Sequence, residues 1–196
     1  ILKRFDMKNN EQKFIDLKDL DKLVPHYWRD RINLLVNKDI PKRPKTSDDT
    51  LIIKFAALKE SDMQQYFYKL FNLVAQEMKF RHKFNELEFV QNDNGDTAGG
   101  SLTQIQRMVL YKRKKAEGSR KGFPDCSMLL FNQGLNLRDT IFCEVKKIAA
   151  PSSIHIREEQ LEWFLKLNGM GFNAYITNNP IFFRDVVLGE VRNFFN

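Results

Sequence analysis

The sequence predicts an α/β protein, a mixed β-sheet flanked by helices, preceded by a small helical N-terminal extension. Three observations lead there. Met63, Phe67, Leu70, Phe71, Val74 and Met78 recur at helical spacing and make one apolar stripe. Four short runs with strand character follow, separated by turn signals or by further helical patterns. With 196 residues, 42% of them hydrophobic and seventeen of them Phe, the chain can bury one domain-sized core and carry an appendage.

Residues 1–40 read as short helical pieces. Phe14, Ile15, Leu17, Leu20 and Leu23 are loosely periodic, and Pro25 is placed to open a second helix carrying Tyr27, Trp28, Ile32, Leu35 and Val36. Residues 41–50 hold two prolines, three cations and turn formers, so they read as a linker or exposed loop. The division expected is a helical extension and linker at 1–50 and a main domain at 51–196.

In the main domain the apolar stripe from Ser61 predicts a helix, Phe84 to Gln91 a strand and 92–100 a loop. A second helix is expected from Ser101 to Glu117, stopped by Gly118. Asp125 to Phe131 and Thr140 to Lys146 read as strands, and the Gly- and Asn-containing stretch between them suits an antiparallel hairpin better than a crossover. Ser152 or Ser153 would cap a helix from Ile156 to Asn168, stopped by Gly169. Phe172 to Thr177 reads as a buried strand, and Asn179-Pro180 opens a last helix with Phe182, Phe183, Val186, Val187, Val191 and Phe194.

The net charge of +7 favours a polyanionic partner, nucleic acid before an acidic membrane face. No apolar run approaches the roughly 18–20 residues of a membrane span, so no membrane is expected as partner. The first residues lack the apolar stretch of a signal peptide. Two cysteines and three histidines are too few for a disulfide framework or a zinc site. An intracellular, reducing setting is therefore expected, cytoplasmic or on the nucleoid. The many Lys, Asn, Phe and Ile residues suit an AT-rich source such as a phage.

The chemistry concentrates at Asp125 and at Glu144-Val145-Lys146. Alternate strand residues share a face, so Glu144 and Lys146 point together while Val145 enters the opposite layer. In the expected hairpin Asp125 falls about opposite Glu144. Two carboxylates and an ammonium at one end of a sheet are costly to bury without a use. A divalent cation gives them one: Mg²⁺ or Mn²⁺ takes hard oxygens, here from Asp125, Glu144 and the Val145 backbone carbonyl. Such a cation polarises a phosphate and acidifies the attacking water, while Lys146 positions that water or offsets charge on phosphorus. The competing reading is a surface hairpin whose Glu and Lys form a weak ion pair.

Three features bear on that choice. Glu60 continues the apolar stripe three residues before Met63, so it either enters the site, on the metal directly or through water, or favours the dipole of its helix. Gln160 shares a helix face with Ile156, Phe164 and Leu167, so it either reaches the site to hold water or phosphate or stays partly exposed. Lys112, Arg113, Lys114, Lys115, Arg120 and Lys121 precede Asp125 and are either a solvated helix end or a nucleic-acid-binding run. Gly118 and Gly122 would let that loop approach the substrate.

Residues 118–125 with their Gly-Phe-Pro-Asp ending, then Phe142-Cys-Glu-Val-Lys146, then Gln160 leading a leucine-rich helix to Gly169, resemble the VRR-NUC (virus-type replication-repair nuclease) domain. Glu60 and Gln64 match a Glu with a Gln four residues on in the first helix of that family. The resemblance covers roughly residues 58–178 and leaves 1–50 without a counterpart. It implies a PD-(D/E)XK nuclease fold, Mg²⁺ or Mn²⁺ dependence and hydrolysis of phosphodiester bonds in DNA. It further implies Asp125 and Glu144 as metal ligands, Lys146 as catalytic, Glu60 as an accessory acid and Gln160 as a residue that orients the site. Relatives include the nuclease domain of the Fanconi-associated nuclease, which acts on branched or flapped DNA. Short viral and phage members are similar to Holliday-junction resolvases and tend to be dimeric. A homodimer is expected on that basis, and residues 1–50, by their position alone, would supply that contact or one to a protein partner.

Cys126 stands where the family often has an aliphatic residue, and as the neighbour of Asp125 it should point away from the site. With Asp125 near Glu144, Cys126 falls near Cys143 on the other face, as two buried thiols in preference to a disulfide. Two other readings share the motifs: a nuclease-fold DNA-binding or assembly module without catalysis, and a restriction-type or RNA-acting enzyme of the same fold.

Overall fold

The computed structural model of the protein describes residues 14–81, 85–91 and 122–196. The expected loop at 92–100, the helix Ser101–Glu117, Gly118 and all six cations from Lys112 to Lys121 lie outside the described residues. So does Phe84, the expected start of the first strand.

Seven strands are described: β1 (Phe14–Ile15), β2 (Ile32–Asn33), β3 (Asn85–Gln91), β4 (Cys126–Asn132), β5 (Leu137–Val145), β6 (Ile156–Arg157) and β7 (Asn173–Thr177). Five of them form a mixed sheet in the order β2-β7-β5-β4-β3. β4 runs antiparallel to both β3 and β5, whereas β5 and β2 lie parallel to β7. The α/β expectation, a mixed sheet flanked by helices, is therefore met.

Alternation along the strands sorts the core into two layers. Cys126, Met128, Leu130, Ile141, Cys143 and Val145 face one side. There they meet α3 (Glu60–Arg81) through Met63, Phe67, Phe71, Val74 and Met78, the stripe read from sequence. The C-terminal helical stretch packs on the same side. It consists of α5 (Pro180–Phe182), a π-helical segment Phe183–Val187 and α6 (Leu188–Phe195), with Phe183 stacked on Phe67 at 4.0 Å between ring centroids. The single last helix expected from Pro180 thus contains a π segment. Phe142, Ala174 and Ile176 face the other side and pack with α4 (Glu158–Gly169) through Leu161, Phe164 and Leu167. Leu20 of α1 (Leu17–Leu23) joins that second layer. Deleting a buried ring such as Phe67 or Phe164 typically costs about 3–5 kcal/mol.

The N-terminal part differs from expectation in three ways. The helix expected after Pro25 is a 3₁₀ helix, His26–Arg31, after which Ile32–Asn33 becomes the fifth strand of the sheet. The β7 edge supplies backbone partners at Ile176 and Thr177, and an edge with unpaired groups outweighs the weak helical pattern. Residues Phe14–Ile15 pair antiparallel with β6. The extension is therefore only partly helical. The linker read at 41–50 ends in α2 (Ser47–Ala56), started by a Thr46 hydroxyl that accepts from the Asp49 N–H at 3.0 Å while the Asp49 carboxylate accepts from Thr46 N–H. Later in the chain, Pro151–Ser153 is a 3₁₀ turn and not a cap, and α4 starts at Glu158, because Ile156 and Arg157 are extended in pairing with β1.

Among the described residues no helix is long and apolar enough to cross a membrane.

Candidate functional site

The hairpin β4–β5 pairs Cys126 with Cys143 and Asn132 with Leu137. Stepping one residue back from Cys126 sets Asp125 across from Glu144, as the spacing predicted. The Val145 N–H donates to Asp125 Oδ2 at 2.8 Å, which fastens the residue before β4 to the end of β5. Val145 turns its side chain into the α3 layer, whereas Glu144 and Lys146 meet each other. Lys146 Nζ stands 2.6 Å from Glu144 Oε1, and both residues are buried, at 6% and 3% exposure. Such burial is that of an interior pair and removes the weak-surface-pair reading.

Gln160, in the first turn of α4, is buried at 4% exposure and donates its amide to Glu144 Oε1. Its own oxygen accepts the Arg157 backbone N–H at 3.0 Å. The second contact fixes the first: with Oε1 committed to the helix start, the amide nitrogen must face Glu144. The partly exposed reading of Gln160 is thereby excluded.

Glu60 opens α3 at the same end of the sheet. Burial raises the pKa of its carboxyl, and Asp125 adds to the rise. Lys146, Arg157 and a hydrogen bond from the Lys147 backbone N–H pull the other way. Glu144 is pushed up to about 8, first by burial and then by the Asp125 charge, against the pull of Lys146. Asp125, Glu144, Lys146, Gln160 and Glu60 thus form one cluster. Val145 enters it through its backbone.

Gly122 brings the Phe123-Pro124-Asp125 segment to α4. Its φ of +76° is open to glycine, and a Cβ there would stand 2.6 Å from Glu159 Cβ and 2.9 Å from the Gln160 nitrogen. The close approach that Gly122 makes among the described residues is thus to the helix start. Phe123 holds the segment down, edge-on to Phe142 and Trp163 with centroids 5.6 and 5.0 Å away.

The donor set suits a hard divalent cation. Glu144 Oε2 is buried and has no hydrogen-bond partner among the described residues, and two further carboxylates, Asp125 and Glu60, press on Glu144 electrostatically. A cation would satisfy that oxygen and relieve the repulsion. Among the described residues no three His, Cys, Asp or Glu side chains stand in metal-ready geometry, and the Lys146 ammonium offsets the Glu144 charge in this arrangement.

Three residues near the cluster were not singled out from sequence. Arg157 precedes α4 with its charge near Glu60, and no sequence pattern marked it, since an arginine side chain cannot accept a cap hydrogen bond. Lys147 contributes its backbone N–H, which no sequence pattern marks. Asn178 is fully buried just past β7 and bonded to Lys147 and Leu35; its sequence signal was only that of a turn.

Comparison with protein-family models, with curated proteins and with solved structures gives no match to this chain.

Proposed function

We propose that the protein is a metal-dependent nuclease of the PD-(D/E)XK type, related to the VRR-NUC domain, that hydrolyses phosphodiester bonds in DNA. The observation that carries the reading is the unsatisfied Oε2 of Glu144, buried beside Asp125 and Glu60 while Lys146 and Gln160 hold the other oxygen. The mixed sheet, with Asp125 at the start of one strand and Glu144 near the end of its antiparallel neighbour, supports it.

In this reading Asp125 and Glu144 hold Mg²⁺ or Mn²⁺, with the Val145 carbonyl and Glu60 as further oxygen donors. The bound cation supplies Lewis acidity toward a phosphate oxygen and a lowered pKa for water. Lys146 orients the attacking water and offsets charge that develops on phosphorus. Gln160 keeps the Glu144 carboxylate aimed by fixing one of its oxygens. The net charge of +7 suits a phosphate backbone. Preference for branched, flapped or four-way-junction DNA, and a homodimer that matches a two-fold junction, extend the proposal.

A cleavage panel in Mg²⁺ and Mn²⁺ tests it, with duplex, single-stranded, flap and four-way-junction DNA and an RNA control. Cleavage of DNA that falls by at least about a hundredfold in Asp125→Ala and Lys146→Ala, with folding and DNA binding kept, is the expected result. Full activity in those variants overturns the proposal. The closed Lys146–Glu144 pair, and the lack of metal-ready geometry among the described residues, favour a second reading, a nuclease-fold DNA-binding or assembly module without catalysis. DNA binding with neither cleavage nor Mn²⁺ uptake selects it.

A further inference from the structure

The segment that joins β2 to α2 is held at both ends. At its start, Asn37 N–H donates to Ala149 O at 3.0 Å, and Val36 bridges to Ala149 in parallel. Ala149 follows Lys146 by three residues, so this junction lies no more than about 11 Å along the chain from Lys146. At its end the segment runs into α2, whose first turn is tied to the C-terminal helical stretch by Arg184 Nη1 donating to Asp48 Oδ1 at 2.9 Å. Pro41 and Pro44 restrict the backbone between these anchors.

Lys38, Lys42, Arg43 and Lys45 lie on this strap and all are exposed, and the exposed Lys147 continues the charge toward the cluster. The carboxylates of the strap and of the helix start are committed elsewhere. Asp39 Oδ2 accepts from Val36 N–H at 2.9 Å, and Asp49 Oδ2 accepts from Lys45 N–H at 2.9 Å and from Thr46 N–H at 3.0 Å. Among the described residues none of the five cations forms an ion pair, although Lys45 spends part of its charge on Asp49.

We propose that residues 38–45 form a phosphate-binding strap, on which Lys38, Lys42 and Arg43 hold the backbone of DNA as it leaves the cluster of Asp125, Glu144 and Lys146. Cations displayed on a backbone anchored at both ends gain from the counterions that a bound phosphate backbone releases, and little ordering is left to be done on binding. An acidic membrane would also attract them, but interfacial binding takes apolar anchors as well. Ile40, the one large apolar side chain of the strap, packs on the core instead. What passes along the strap rests on the nuclease reading; the place of the strap beside Lys146 does not.

Binding of a DNA duplex of about 20 base pairs to the full chain, in EDTA and over about 50–200 mM salt, tests the strap. In K38A/K42A/R43A the affinity is expected to fall by about tenfold or more, and the slope of log affinity on log salt to become shallower by about 2–3. K79A/R81A/R138A removes as much charge from exposed positions at the far ends of α3 and β5, and is expected to lose less than about threefold. Equal losses in the two triple variants overturn the proposal. So does a K38A/K42A/R43A protein that keeps its DNA affinity and loses binding to phosphatidylserine vesicles, since the strap would then serve a membrane.

If the strap variant does not fold, R43E and R43A replace it. R43E is expected to bind DNA about threefold more weakly than R43A. Equal affinities in R43E, R43A and the wild type overturn the proposal. A wild type that binds DNA through the strap and cleaves in neither Mg²⁺ nor Mn²⁺ sinks the nuclease reading and leaves the strap standing. Cleavage by the wild type, with equal losses of binding in the two triple variants, does the reverse.

Discussion

Gln160 gives its amide N–H to the same Glu144 oxygen that Lys146 holds, and it is oriented to do so by the Arg157 backbone N–H on its own oxygen. Two donors on one carboxylate oxygen leave the other oxygen as the open position of the cluster. Gln160→Glu would replace the donor by a second acid facing Glu144. The variant is expected to lose about 10–100-fold in Mn²⁺ affinity relative to wild type, measured by calorimetry. An affinity unchanged in Q160E would show that Gln160 does not orient Glu144.

Glu144 also predicts a pH dependence in the metal-free protein. Its carboxyl is raised from 4.5 to about 8 in the folded state, so between those values the native protein binds more protons than the unfolded chain. Stability then falls as pH rises from about 5 to 8 and levels off above. Glu144→Gln removes the Glu144 share of this slope and leaves the smaller one from Glu60. In urea titrations the variant should match wild type near pH 5 and exceed it at pH 8, while losing cleavage. Added Mn²⁺ should offset the wild-type loss at high pH.

Gly122→Ala is expected to destabilise by about 2 kcal/mol or more, combining the cost of a side chain at positive φ with the contact to Glu159. Chemical denaturation checks the magnitude. Cleavage should fall as well, because relief of the clash moves the segment that carries Asp125.

Cys126 and Cys143 are both buried and unbridged, and Cys126 Sγ donates to the Cys143 carbonyl at 3.2 Å. The hydrogen bond with the neighbouring Cys143 thiol, and then burial, push the Cys126 pKa up, which leaves little thiolate to react. A thiol-reactive dye should therefore label the native protein slowly and both cysteines at once on unfolding. Rapid labelling of the folded chain would contradict this.

The heart of the cluster was legible because strand alternation and a short hairpin leave little choice. Once Asp125 and Glu144 are placed on paired antiparallel strands, Cys126 must meet Cys143 and Val145 must face away. The α3 stripe was legible for the same reason, a period repeated over several turns. Ile32–Asn33 was not, since two residues carry no period and their partners lie at Ile176 and Thr177. Helix α2 was masked by prolines and cations just before it, although Thr46 and Asp49 spelled out its start. The links through Asn178 and Lys147 run on backbone groups, which every residue has, so side-chain identity could not announce them.

The strand Ile32–Asn33 has a consequence for synthesis. Thr177 and Asn33 are 144 residues apart in sequence, and this pairing closes the sheet next to the site. A ribosome making the chain releases Asn33 long before its partner exists. The edge that fixes Lys147 is therefore among the last parts to form, after slow closure of a very long loop. A nascent or C-terminally shortened chain holds its acidic residues without their final frame, so the cell meets the assembled cluster only when translation has passed Thr177.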